Sequence, residues 1–189
     1  MRRVAVFASR EEIDTPEAFA AAHQLGRLLG DHRMTLIVQA PLVGPTATVT
    51  DATQSAGGRI LVVSTAHVLV PGDAEVRLVP TDDHARAEIG NQAEGFVVLP
   101  GGIGSLEAAL ALWTWAADRP GDQPLGFFDD RDSFGTLLKQ ATDEAVDRFA
   151  RESQRGQLVV SRDPADLLRR LVDYRAPETR RSGTPFEDD

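Results

Sequence analysis

Cysteine is absent from the chain. That absence excludes disulfides, thiolate catalysis and cysteine-ligated metals, and it is compatible with a reducing compartment. Lysine is nearly as scarce. Lys139 is the only one among 20 basic residues, so Schiff-base chemistry has a single candidate. No window approaches the roughly 20 apolar residues of a membrane span. The opening run, MRRVAVFAS, is too short for the apolar part of a signal segment and reads as a first buried strand. A cytoplasmic protein without a membrane partner is therefore expected. The formal net charge of -9 at pH 7 lacks the basic footprint that nucleic-acid binding relies on, although a local arginine pocket for one phosphate is compatible with it. His23, His32, His67 and His84 show no metal-ligand spacing, so no metal site is expected.

What is present is an alternation of short apolar runs with helical patterns. At 189 residues the chain suits one domain, expected over 1–174. A tail over 175–189, rich in turn formers and charge, is expected to be disordered. Strands are expected at 3–8, 34–38, 59–63, 76–80, 95–99, 124–128 and 157–160. Between them fall helices: one opened by Thr15 and Pro16, with Phe19, Ala22, Gly26 and Leu29 at helical spacing, then 46–56 closed by Gly57 and Gly58, 82–94, 104–117, 133–150, and 163–174 opened by Asp163-Pro164. Continuous apolar strands alternating with helices predict an α/β fold whose central parallel sheet is covered on both faces.

The most informative stretch is VVLPGGIGSLEAALALWTWA, residues 97–116. A strand breaks at Pro100, passes Gly101, Gly102 and Gly104, and feeds a helix. In open parallel sheets ligands lie beyond the carboxyl ends of the strands, which is where this turn falls. Glycines there let a ligand approach the main chain, and the helix start directs free N–H groups and a positive dipole end at the same space. Ser105 adds a hydroxyl. A phosphate cradle and a plain tight turn both fit the pattern. The run is not a Walker loop, because no Gly-Lys-Ser/Thr follows, and it is not a dinucleotide fingerprint.

The segment LPGGIGSLEAALALWTWA resembles the Pro-Gly-Gly-x-Gly-Thr-x-x-Glu motif of the Lonely Guy (LOG) family, often labelled lysine decarboxylase-like. AEIGNQAEGFVVLPGG before it, QPLGFFDDRDSFGTLL after it and DPADLLRRLVDY near the end extend the similarity over nearly the whole chain. The resemblance implies a Rossmann-like three-layer fold, a homodimer, and hydrolysis of the N-glycosidic bond of cytokinin riboside 5'-monophosphates or AMP. It implies phosphate or nucleotide binding at Gly101, Gly102, Gly104, Ser105 and Gly44, and no cofactor. A pyridoxal-phosphate decarboxylase needs a lysine for its internal Schiff base, and Lys139 lies within an expected helix with no loop to receive the cofactor.

The residues that the family assigns to chemistry transfer poorly. Counting from Pro100, the Thr position is Ser105 and the Glu position is Ala108, with Glu107 its neighbour about 100° away around the helix. A gapless reading lays the family's upstream Met-His-x-Arg-Lys segment on Asp82-Asp83-His84-Ala85-Arg86. The arginine position is then Ala85, while a one-residue deletion would match His84 and Arg86 to the family's His and Arg. Of a second glycine loop only Gly44 remains, between Pro41 and Pro45, and the stretch after the first strand reads Ala8-Ser9-Arg10-Glu11. Asp82 and Asp83 suit a helix start and place negative charge where the family receives phosphate.

Two readings follow. The first is a diverged member that binds a nucleoside monophosphate or similar phosphate, its phosphoribohydrolase activity lost or altered. The second is an active phosphoribohydrolase using Arg86 and Glu107 in the vacated roles. A purely structural protein is a third, if Pro41 and Pro45 fill the pocket. Trp113 and Trp115 leave the helix over 104–117 apolar most of the way round, which together with the resemblance places a dimer interface there.

Overall fold

The computed structural model describes residues 1–8, 15–70, 72–99, 103–117, 123–129, 136, 140 and 158–175. The order of elements is β1 (Arg3–Phe7), α1 (Pro16–Asp31), β2 (Thr35–Gln39), α2 (Gly44–Ser55), β3 (Arg59–Ser64), β4 (Glu75–Leu78), α3 (Asp82–Gln92), β5 (Gly95–Val98), α4 (Ile103–Ala117), β6 (Leu125–Phe128), β7 (Leu158–Ser161) and α5 (Pro164–Asp173). The helix expected over 133–150, including Lys139, lies outside the described residues apart from positions 136 and 140, as do the tail from 176 and the Ser9-Arg10-Glu11 stretch.

All strand pairs are parallel, in the order β4-β3-β2-β1-β5-β6-β7. The pleat sends alternate side chains to opposite faces. Val4, Val6, Leu36, Val38, Ile60 and Val62 pack with α1, α2 and α5 on one face. Ala5, Ile37, Leu61, Val63, Phe96 and Val98 pack with Ala85 and Ile89 of α3 and Ala109 of α4 on the other. The result is the parallel sheet covered on both faces that the alternating pattern predicts, in the three-layer Rossmann-like form that the resemblance implies.

Local chemistry explains the boundaries. Thr15 caps α1, its hydroxyl accepting from Ala18 N at 3.3 Å with Pro16 in the first turn. The Asp163 carboxylate caps α5 by accepting from Ala165 N at 3.1 Å. Gly57 closes α2 with a positive φ of 79°, the left-handed conformation that glycine adopts without strain. α2 begins at Gly44 rather than at 46, because Pro45 is tolerated in a first turn that has no donors to lose. Asp82 and Asp83 occupy the first turn of α3, but neither is its cap. Thr81 caps it, accepting from His84 N at 3.3 Å, and the two carboxylates instead complement the helix dipole.

Candidate functional site

The chain runs outward from β1 through β2 and β3 to β4, then returns to β5 on the other side of β1. That reversal opens a crevice at the carboxyl ends of β1 and β5, where sheets of this kind place ligands. The two strands stay paired to the rim, Leu99 N donating to Phe7 O at 2.8 Å. A cavity of about 300 Å³ occupies the crevice.

Three groups of residues build it. Phe7 and Ala8 at the end of β1, with Gln39 at the end of β2, form one wall. Asp82 and Arg86, one turn apart on α3, form the second. Gly104, Glu107, Ala108, Ala111, Leu112 and Trp115 of α4 form the third. Most of this lining is apolar. Among the described residues its ionic groups are one guanidinium and two carboxylates.

Hydrogen bonding prepares the polar side. Gln39 Nε2 donates to Asp82 Oδ1 at 2.8 Å, joining the end of β2 to the start of α3. Among the described residues Arg86 has only a loose ion pair, Nη1 to Asp83 Oδ1 at 3.9 Å, and both side chains are exposed. A pair that open to water holds its guanidinium weakly. Trp115 is fixed by shape. A Cβ added to Gly90 on α3 would stand 2.4 Å from the indole Nε1, so only glycine at that position lets the ring seat against α3.

Sequence and structure can now be compared residue by residue. Arg86 and Glu107 line the same cavity, and so does Gly104. Ala108 also faces it, at the family's glutamate position. Ala85, at the arginine position in the gapless reading, is wholly buried in the core beneath α3. α3 runs unbroken from Asp82, and its helical period turns positions 82 and 86 to the cavity and 85 to the sheet. Ser105 is 1% exposed, and its hydroxyl makes no hydrogen bond among the described residues. Gly44 opens α2 with a φ of 54° and is not among the residues lining the cavity. Gly101 and Gly102 lie outside the described residues. His84 turns back on its own cap, Nδ1 2.8 Å from Thr81 Oγ1.

Gln39 is a cavity residue that sequence reasoning passed over. Its one signal is position, as the last residue of an inner strand. Among the described residues no cluster of three or more His, Asp or Glu side chains is placed to hold a metal, and no helix is long and apolar enough to cross a membrane.

Fold and crevice together define the class: a Rossmann-like α/β protein with a ligand-sized cavity at the point where its strand order reverses. A family model described as "Possible lysine decarboxylase" matches residues 46–171. The chain belongs to this family, the one that includes the Lonely Guy proteins. The cytokinin riboside 5'-monophosphate phosphoribohydrolase LOG7 of Arabidopsis thaliana is 30% identical over 179 residues, which cover 92% of this chain and 82% of that protein. LOG2 of the same plant, with the same named activity, is 29% identical over 182 residues, covering 94% and 85%. Among solved structures, the molybdenum cofactor binding protein of Rippkaea orientalis superposes with a TM-score of 0.67 at 18% identity, over 91% of this chain and 96% of that one. The Moco carrier protein of Chlamydomonas reinhardtii gives 0.69 at 14%, over 91% and 98%. At these identities the two structures speak for the fold alone.

Proposed function

We propose that the protein is a nucleoside 5'-monophosphate phosphoribohydrolase in which Arg86 and Glu107 perform the chemistry. The observation that carries this reading is that the two side chains line one cavity beside the start of α4. The relatives named for phosphoribohydrolase activity support the reaction class. Hydrolysis breaks the bond between C1' of the ribose and the base nitrogen. Water supplies the hydroxyl at C1', and the base leaves with a proton. In this reading the Glu107 carboxylate faces the positive charge that develops on the ribosyl ring and takes the proton of the incoming water. Arg86 presents its N–H donors to the nucleotide. The phosphate sits at the N-terminus of α4 with Gly101, Gly102, Gly104 and the Ser105 hydroxyl, and the apolar wall of Phe7, Leu112 and Trp115 receives the base.

A second reading, binding with turnover lost or altered, is favoured by one specific feature. Ala108 puts a methyl group into the cavity at the position where the family carries its glutamate. The separating experiment incubates the purified chain with AMP and with isopentenyladenine riboside 5'-monophosphate, follows free base by chromatography, and measures binding by calorimetry. The active reading expects base release that falls about 10²–10⁴-fold in Glu107→Gln. A saturable heat of binding without base release would favour the second reading. Neither heat nor base would sink both.

We also infer that the protein works in the cytoplasm as a homodimer joined through α4. The exposed Leu110 on that helix supports the interface.

A further inference from the structure

At the opposite, amino-terminal edge of the sheet lies a larger cleft of about 890 Å³. Arg2, Arg3, Arg33 and Arg59 line it, with Asp31 the one carboxylate lining it among the described residues. In a chain with 29 acidic and 20 basic residues, four arginines lining one cleft run against the overall balance. We propose that this cleft binds a multiply charged phosphate anion of the pyrophosphate or tripolyphosphate class, at a site separate from the crevice at the carboxyl ends.

The arrangement follows from strand register. Arg3 pairs with Thr35 and Thr35 with Arg59 across β1, β2 and β3, so the three residues begin their strands side by side at this end of the sheet. Two strand spacings put the Arg3 and Arg59 backbones about 10 Å apart, a span suited to a chain of phosphates rather than to one. Arg2 precedes the row and Arg33 sits in the turn that leads into β2. Arg2, Arg33 and Arg59 make no side-chain ion pair or hydrogen bond among the described residues, whereas Arg3 Nη1 donates to Gln92 Oε1. Glu75 and Asp73 line an adjoining cleft that shares Arg3, Thr35 and Arg59, and Glu75 is already engaged by Arg77 at 2.9 Å.

Two opposing effects need weighing. α1 and α2 both end at this edge, and each brings about half a negative charge from its dipole. Neither helix has a basic residue in its last turn, so part of the arginine charge answers the dipoles. Those two ends and Asp31 together offset only about half of four guanidinium charges. The excess remains for a ligand. The second observation is backbone strain. Arg33 has a φ of 53°, the one positive φ of a non-glycine residue among the described residues. That position at a helix end ordinarily takes glycine or asparagine, so arginine there is disfavoured by its backbone. Gly57, whose built Cβ would meet nothing within 4 Å, leaves the cleft open on the α2 side.

The test is calorimetry of the full chain with inorganic tripolyphosphate, for wild type, Arg33→Asn and Arg59→Gln. Asparagine accepts the left-handed conformation, so Arg33→Asn keeps the fold. Saturable binding in wild type is expected, weakened about tenfold or more by each substitution, and unaffected by saturating AMP. No saturable binding, equal affinities in all three proteins, or full displacement by AMP would each overturn the proposal. The last of these would mean the anion occupies the crevice instead. Failure here leaves the phosphoribohydrolase reading untouched, because no residue is shared between the two sites.

Discussion

At the scale of single residues, the site turns on one helical step. Glu107 and Ala108 are neighbours, and both reach the cavity because α4 lies along its length. At the position that the resemblance gives to a glutamate, this chain has the methyl of Ala108. If Glu107 supplies the only carboxylate on α4 for the reaction, Ala108→Glu offers a second one a step away. Base release from AMP in Ala108→Glu/Glu107→Gln is then expected to recover at least tenfold over Glu107→Gln alone, a fraction of what a positioned acid or base is worth. No recovery would count against a shared role for the two positions. Another residue-scale prediction concerns acid stability. The Asp166 carboxyl is held below the usual aspartate range, first by the Ser161 hydroxyl, which donates to Oδ2 at 2.8 Å, and then by Arg169. A folded-state pKa below the unfolded value of about 3.9 contributes stability that is present above that value and lost as pH falls through the folded one. Asp166→Asn is therefore expected to lower Tm near neutral pH, with the gap to wild type closing as the solution is acidified. A gap independent of pH would show that the carboxylate charge is not involved.

Elements hold together by close approach as much as by apolar area. Gly26 and Gly30 let α1 touch α2. A Cβ built on Gly30 would lie 2.4 Å from Ala56 Cβ, and one on Gly26 would lie 2.6 Å from Val49 O. On the facing helix, Thr50 and Thr53 are wholly buried, and each hydroxyl donates to the carbonyl four residues back, at 2.7 Å. Such back-bonding satisfies a polar group where no water reaches. Glycine to alanine inside a helix normally gains up to about 1 kcal/mol, whereas overpacking costs about 1–3 kcal/mol, and here the clash is with a rigid partner helix. Gly30→Val is expected to lose about 2–3 kcal/mol in urea unfolding. A neutral or stabilising result would mean that the two helices separate freely.

For the whole molecule, the sheet's order decides where chemistry can happen. Reversal at β1 places the ends of β1 and β2 and the starts of α3 and α4 around one crevice, while the other edge gathers the arginine row. The proposed dimer belongs to this scale as well. If α4 is the interface, Leu110→Glu should shift the protein from dimer to monomer in light scattering with its circular dichroism spectrum intact. A wild-type monomer at micromolar concentration would remove the interface from consideration.

Much of this was legible without coordinates. Apolar runs of strand length, helix caps such as Thr15 and Asp163, and the closing Gly57 are local signals, since propensity, capping and positive φ act over a few residues. They determined the described elements and the parallel sheet. The family followed from one contiguous motif. What only the tertiary structure decided is which side of each element faces what. Arg86 lines the crevice and Ala85 the core because α3 is capped by Thr81 and turns through a fixed angle per residue. Gln39 enters the site, and Gly44 stays out of its lining, because of where β2 ends beside α3. Arg2, Arg3, Arg33 and Arg59 line one cleft because the starts of three strands lie side by side. Each of these depends on contacts between segments distant in sequence, and such contacts are set by packing that no local pattern encodes.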